Sequence, residues 1–360
     1  MEIDRNKAGE LTGRTCNGLL EAMDLLTIYL GDRLGLYRAL AEGGPMTPRE
    51  LAARAGIHER YAREWLEQQA VTGIISVDGG ADPASERRYT LPPGYATVAD
   101  AKSPFPIVAF AQAMVAVAGA APKLVEAYRT GKGVPWGDYG PDIIEAQGSF
   151  NRGWLTLELG AKYLPGIPDI HTRLLADPPA RVADIACGVG WASIAIAQAY
   201  PKVSVVGYDL DEPSIEMARR HAKEAGVSDR VRFEVVDATR SHGDGTFDLA
   251  VIIEAVHDVA RPVELLAGVR RLLVPGGTLI VADEKVQDAF TAPGDFLERF
   301  FYAASVLVCL PSGMAEQPSA ATGAVMRRTT LEQYARQAGF KQLEVLPLEH
   351  ESMRFYRLNG

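Results

Sequence analysis

From Leu19 onward, apolar residues recur at Met23, Leu26, Leu30, Leu34 and Tyr37, three or four apart, as one face of a helix requires. Leu20, Leu25, Ile28 and Leu36 make its other faces apolar too, so this helix over Leu19 to Leu40 is expected to pack against its own domain and a second subunit. Met46 to Leu51 places Thr47 to cap a helix with Pro48 first and Glu50 third, ending near Gly56. A second helix from about Glu59 to Val71 follows, then the apolar run Gly73 to Val77, the turn-rich Asp78 to Pro83 and the strand-like Arg88 to Leu91. Residues 100–178 read as helical, with breaks at Pro122, Gly131 to Pro135 and Pro165 to Pro168. The longest apolar stretch, Ile107 to Ala121, lies between Pro106 and Pro122 and is interrupted by Gln112. It falls short of the roughly 20 residues of a membrane span, and a buried interface helix is expected. After Asp177-Pro178-Pro179 the pattern changes. Short apolar runs at Arg181 to Ala186, Val203 to Tyr208, Val231 to Val236, Phe247 to Ile253 and Thr278 to Ala282 alternate with helical segments, which predicts a parallel sheet covered on both faces.

Helix, helix and a two-stranded wing is the order of a winged helix-turn-helix. That shape serves DNA recognition, or else dimerisation and substrate capping. Between Pro45 and Thr90 six Arg or Lys stand against seven Asp or Glu, and the second helix carries Glu59, Glu64 and Glu67 against Arg60 and Arg63. A net negative helix is a poor neighbour for phosphates, so no nucleic-acid partner is expected. The 360 residues, 47% hydrophobic and 23% charged, suit two or three globular domains and exclude a disordered, collagen-like or disulfide-scaffold chain. A formal net charge of -9 also opposes docking on an anionic membrane. Cys16, Cys187 and Cys309 are odd in number and far apart, which fits a reducing cytoplasm and offers no metal-ligand spacing, so no metal is expected. No basic stretch leads into an apolar run at the start, and no signal peptide is read there.

Candidate chemistry begins where the first parallel strand runs into Asp184-Ile185-Ala186-Cys187-Gly188-Val189-Gly190 and a helix follows from Trp191. Glycines at such a turn let the backbone approach a ligand closely. Asp209, 21 residues after Gly188, ends the second strand, where a carboxylate can hold both hydroxyls of a ribose, and Asp237 closes the third. Three successive strands ending in acids define one crevice, the expected ligand site of an open α/β sheet. His257-Asp258 follows the fourth strand. Its ordinary pKa of about 6.5 suits a histidine to take a proton near neutral pH; the alternative is a helix cap or a backbone contact. Glu254 either touches a ligand or caps a helix. Cys187 reads as a small filler of the turn.

This pattern resembles the class I S-adenosylmethionine-dependent methyltransferases over most of residues 180–285. Asp184 to Gly190 is similar to the family's first motif, Asp209 with Leu210 to its ribose-binding acid and neighbour, and Asp237-Ala238 to its adenine-contacting pair. Phe247 to Ala250 and Leu273-Val274-Pro275-Gly276-Gly277 resemble its later strand and turn motifs. The resemblance implies a seven-stranded Rossmann-like α/β domain with S-adenosylmethionine as cofactor, Asp184, Gly188, Gly190, Asp209, Leu210, Asp237, Ala238 and Glu254 around it. A narrower resemblance, to small-molecule O-methyltransferases with an N-terminal winged-helix dimerisation domain, covers nearly the whole chain. Phe150-Asn151-Arg152-Gly153-Trp154 looks like their Phe-Asn-x-x-Met segment, with Trp154 in place of Met, and His257-Asp258 like their His-Asp pair, implying His257 as base and Asp258 beside it. Arg327 stands where plant phenol methylases have an acid before their late Arg-Thr.

The expected organisation is a mainly helical winged-helix dimerisation domain at 1–100, a helical substrate-pocket region at 101–178 and the Rossmann-like domain at 179–360. Phe150, Trp154, Trp136 and Tyr302 are the acceptor-site candidates. Residues 286–325 extend the usual topology with a helix over Phe296 to Leu310 and a loop over Pro311 to Gly323, whose aromatics form a lid or a core stripe. The expected function is methyl transfer to a small molecule, on oxygen first and on nitrogen or carbon second, in a cytoplasmic homodimer. The rival functions are a ligand-sensing winged-helix transcriptional regulator and non-methyl chemistry on the same cofactor fold.

Overall fold

The computed structural model describes residues 4–78, 83–99, 103, 107–238 and 245–360. By its contacts the chain divides into two compact units, Met1–Ala118 with Glu145–Gly153, and Gly119–Ile144 with Trp154–Gly360.

In the first unit, Asp4 accepts from the backbone N–H of Asn6 and Lys7 and so starts α1 (Arg5–Arg33), well before Leu19. The expected helix to Leu40 is in fact two: Gly35, at φ +66°, ends the first and opens α2 (Leu36–Gly43). A left-handed residue cannot continue a right-handed helix, and glycine adopts that conformation without steric cost. Leu19, Leu20, Met23, Leu26, Leu30 and Leu34 are exposed in the single chain. The predicted Thr47 and Glu50 capping box opens α3 (Pro48–Ala55), which stops at left-handed Gly56, and α4 covers Glu59–Val71. The wing is a pair of two-residue strands, β1 (Ser76–Val77) antiparallel to β2 (Tyr89–Thr90); residues 79–82 of the predicted turn lie outside the described residues. Leu36, Tyr37, Leu40, Leu51, Trp65, Leu66 and Tyr89 form the core of this unit.

Helix α5 (Ile107–Thr130) passes through Pro122, where the sequence pattern had placed a break. Proline removes one i→i−4 hydrogen bond, which costs about 3 kcal/mol in a helix interior and is here outweighed by burial of the stripe Ala109, Ala116, Ala120, Leu124 and Ala127. The longer helix is apolar and long enough to cross a membrane by length and composition, with 33% of its most apolar window buried. Pro106, the expected upstream boundary, lies outside the described residues. Helix α6 (Pro141–Trp154) continues into a π-helical stretch, Leu155–Tyr163, and α7 (Pro168–Leu175) follows.

The second unit is built on a seven-stranded sheet. In chain order its elements are β3 (Arg181–Ile185), α8 (Trp191–Ala199), β4 (Ser204–Asp209), α9 (Glu212–Glu224), β5 (Val231–Val235), β6 (Phe247–Ile253), α10 (Pro262–Leu272), β7 (Leu273–Glu284), α11 (Phe296–Ala304), α12 (Leu310–Gly313), α13 (Arg328–Gln337), β8 (Gln342–Val345) and β9 (Met353–Asn359). The strand order is β5-β4-β3-β6-β7-β9-β8, with the first five parallel and β9 antiparallel to both β7 and β8. The β8–β9 hairpin is not among the strands read from the sequence. The Pro275-Gly276-Gly277 turn does not precede β7 but lies inside it, where the pairing with β6 shifts register between Phe247 and Leu249. One core cluster, around Val182, Val205, Leu249 and Ile280, covers one face of the sheet, and another, around Ala183, Val206, Ala250 and Val281, covers the other. Burial on both faces is why these strands read as continuous apolar runs. The chain moves outward from β3 to β4 and β5 and then returns to β6, so the crevice opens at the C-terminal ends of β3, β4 and β6.

Candidate active site

The turn after β3 holds its shape through its own backbone. Cys187 N–H donates to Tyr208 O at 3.0 Å, Gly190 N–H to Cys187 O at 2.9 Å, and Gly188 N–H to Asp209 Oδ2 at 2.8 Å. The two motif glycines do different jobs. Gly188 has φ +50° and a Cβ added to it would meet nothing within 4 Å, so its free side faces open space. Gly190 has φ +84°, and a Cβ there would stand 2.6 Å from the Phe233 ring and 2.9 Å from Ala218. One lets a ligand reach the backbone, and the other lets α8 close onto the sheet. Together they leave the turn open on one side and closely packed on the other.

Asp184 serves the protein itself. It is 1% exposed, and its Oδ2 accepts from both the N–H (3.0 Å) and the hydroxyl (2.6 Å) of Ser193, which caps α8 where Gly190 has no side chain to do so. Burial pushes its carboxyl up to about 7 against the pull of the Ser193 hydrogen bonds. Asp209 is half-buried and accepts from Gly188 N–H and, through Oδ1, from Asp211 N–H at 2.9 Å. Each of its oxygens keeps a lone pair for a ligand hydroxyl. Leu210 beside it is 65% exposed, while Asp237 is half-buried and Ala238 buried at the end of the neighbouring strand. A residue that the sequence did not flag, His221, brings its Nδ1 to 3.0 Å from Val189 O and stacks on Trp191 with ring centroids 4.2 Å apart, bracing the glycine turn.

Three non-glycine residues among those described have φ above +20°: Ala186, Glu254 and Ala321. Ala186 follows β3 and Glu254 follows β6, with Glu254 N–H donating to Ala282 O at 2.8 Å. Ala321 lies in the loop whose Gly323 N–H donates to His257 O at 3.1 Å. Left-handed backbone in ordinary residues costs about 1–3 kcal/mol each, and it concentrates at functional sites.

His257 follows Glu254 in the turn after β6 and is 2% exposed. Its Nδ1 lies 2.8 Å from Asp283 Oδ1 and 3.0 Å from Glu284 Oε2, and its Nε2 lies 3.2 Å from Asp258 Oδ1. Facing Asp283 and Glu284, Nδ1 is placed to donate to them. Burial alone would lower the ring's pKa, but Asp258, Glu284 and Asp283 outweigh it and hold it well above 6.5. Burial likewise pushes Asp283 up, yet the His257 ring overrides it and leaves that carboxyl below its usual range. Burial, reinforced by the charge of Asp283, puts Glu284 well above its usual range. Neither acid was singled out in the sequence. The signal was present in Ala282-Asp283-Glu284, since acids closing a fifth apolar strand lie one pairing step from the turn after the fourth. Tyr139 and Cys309 were likewise unassigned. The buried Tyr139 hydroxyl donates to Leu307 O at 2.7 Å, and burial, with the charges of Cys309 and Asp258 nearby, raises its pKa.

The acceptor candidates are not brought together in the same way. Trp136 lies 6.4 Å from Tyr139, ring to ring. Tyr302 accepts from Arg327 at 3.3 Å and packs edge-on to Phe290. Arg327 in turn pairs with buried Glu298, so the residue standing at the acid's position has an acid of its own. Trp154 packs with Tyr163, His350 and Phe355, and Phe150 belongs to the first unit, its ring 5.0 Å from Phe110. Cys187 is half-buried with its thiol pKa well above the ordinary value through burial, as a filler requires.

Comparison with known proteins agrees with this fold. Residues 176–330 match the family described as "Methyltransferase domain", and residues 22–100 the "Rv2258c-like winged HTH domain". Among curated proteins, the chain is 29% identical over 181 residues to the ubiquinone biosynthesis O-methyltransferase of Bordetella avium, covering 50% of this chain and 70% of that protein. It is 34% identical over 136 residues to the trans-aconitate 2-methyltransferase of Streptomyces coelicolor, covering 38% of this chain and 42% of that one. The fold matches mitomycin 7-O-methyltransferase (TM-score 0.68, 20% identity, 98% of this chain and 99% of the other). It also matches human N-acetylserotonin methyltransferase in complex with S-adenosylmethionine (TM-score 0.71, 16% identity, 100% and 99%). The chain carries a methyltransferase domain, with S-adenosylmethionine as its cofactor, and a winged helix-turn-helix domain at its N-terminal side, and is an enzyme.

Proposed function

We propose that the enzyme methylates an oxygen of a small-molecule acceptor and that His257 takes the acceptor's proton. The observation that carries this reading is the hold of Asp283 on Nδ1, which leaves Nε2 as the nitrogen able to receive a proton once the ring is neutral, at a pH above its raised pKa. Gly188, Gly190, Asp209, Leu210, Asp237 and Ala238 hold the cofactor, with Glu254 at the same edge and Asp184 supporting the turn from beneath. When bound, S-adenosylmethionine supplies a methyl group on a positively charged sulfur, whose departure as a neutral thioether needs no acid. The protein's task is then to orient the acceptor and remove its proton. Asp258, Asp283 and Glu284 stabilise the imidazolium that forms at His257, as the carboxylate of a catalytic dyad does. Trp136 and Tyr302 are the acceptor-contact candidates of the second unit, and Phe150 and Trp154 those carried by the α6 segment. The O-methyltransferase names of the Bordetella relative and of the mitomycin enzyme support oxygen over nitrogen.

The exposed leucines of α1 support a homodimer formed through the first unit, and the three unpaired cysteines support a cytoplasmic setting. The net negative charge around α4 argues against DNA as a partner. The test is a panel of phenols, hydroxyquinones, carboxylates and indoles incubated with cofactor labelled at the methyl carbon. Release of S-adenosylhomocysteine with the label at an O–CH₃ shift is the expected result. Label on nitrogen or carbon would overturn the oxygen assignment.

A further inference from the structure

We propose that His257 Nε2, Asp258 Oδ1 and Cys309 Sγ form a site for a zinc-like divalent ion, with its fourth coordination position open. The three atoms lie within 4.8 Å of one another, and Nε2 and Oδ1 are 3.2 Å apart. A tetrahedral ion with bonds of about 2.0–2.3 Å fits such a triangle after small side-chain rotations. A ring nitrogen, a thiol sulfur and a single carboxylate oxygen match zinc; magnesium and calcium take oxygen ligands.

Observations other than spacing call for a cation there. Asp283 Oδ1 lies 2.8 Å behind the His257 ring at Nδ1, and a carboxylate behind the ring is the usual support of a metal-bound histidine. Asp258 Oδ1, Asp283 Oδ2 and Glu284 Oε2 are all buried, and beyond the His257 ring no well-aligned hydrogen-bond donor meets them among the described residues. The side chains of Asp283 and Glu284 are 2% and 7% exposed, and among the described residues no lysine or arginine forms an ion pair with any of the three. Cys309 ends a π-helical turn, Ser305–Cys309, between α11 and α12. A π-turn adds a residue to the helix, re-aims its side chains and recurs at functional sites. The sequence had given no reason to expect a metal, because its ligands come from the turn after β6 and from a helix beyond β7.

Binding would form bonds from the ion to the thiolate and to Nε2 and release to solvent the thiol proton and the proton that Nε2 holds in the imidazolium. The ion would also occupy Nε2, so zinc is expected to inhibit methyl transfer; this consequence alone rests on the base reading. The site itself is tested by titrating cobalt(II) into Cys16→Ser protein, which lacks the exposed thiol. One equivalent should produce a thiolate-to-cobalt absorption band that zinc removes. The band should be lost in Cys309→Ser and in His257→Gln, each in that background and each checked for folding by circular dichroism. If His257→Gln does not fold, Cys309→Ser decides alone. Absence of the band, or its persistence in Cys309→Ser, would overturn the proposal whether or not His257 is the base.

Discussion

Asp209 and Asp184 are both acids at the β3–β4 edge, yet their surroundings give them opposite duties. Asp209 binds two loop N–H groups and keeps lone pairs toward the crevice, so Asp209→Ala should weaken S-adenosylhomocysteine binding by about 1.5–3 kcal/mol in calorimetry. Unchanged affinity would remove it from the ribose site. Asp184 is buried, and its folded-state pKa of about 7 lies above the 3.8 of an ordinary aspartate. The folded protein therefore binds the proton more tightly than the unfolded chain. The stability this adds is complete below pH 4 and is lost as pH rises to about 7. Asp184→Asn keeps an acceptor for Ser193 and has no charge to desolvate. Its unfolding free energy should thus gain on the wild type across that window by about 4 kcal/mol at most. Parallel pH profiles in urea melts would show that Asp184 titrates normally.

The two motif glycines separate packing from ligand approach at the level of the β3–α8 turn. Gly190→Ala forces a methyl into the Phe233 ring at a left-handed position and should cost about 2–4 kcal/mol in urea unfolding. Gly188→Ala meets open space and should cost only about 1–2 kcal/mol of backbone strain while cutting cofactor affinity more deeply. A larger stability loss at Gly188 than at Gly190 would reverse these roles. Elements with their own local signals were legible: α3 from its capping box, α4 and β6 to the residue, and the parallel sheet from its buried apolar runs. The β8–β9 hairpin was not, because Gln342–Val345 is short and half polar and the hairpin's place is set by pairing of β9 with β7. The break expected at Pro122 gave way to tertiary burial along α5. The glycine turn, Asp209 and His257 were legible as local motifs. Asp283, Glu284 and Cys309 reach His257 only through sheet order and a helix beyond β7, which no local spacing records.

For the whole molecule, the exposed apolar face of α1 predicts a dimer, with light scattering at micromolar concentration giving about twice 38.8 kDa. A particle of the monomer mass would leave that face without its expected cover. Catalysis is the claim on which the account turns. It joins the cofactor edge of the sheet to the buried carboxylates around His257, so the most direct measurement is made on His257→Ala with the first acceptor found. S-adenosylhomocysteine affinity should stay at the wild-type value while kcat falls by about 10²–10⁴-fold, the usual size of a general-base contribution. Wild-type turnover in the alanine variant would contradict the account and leave His257 a structural residue beside a cofactor site.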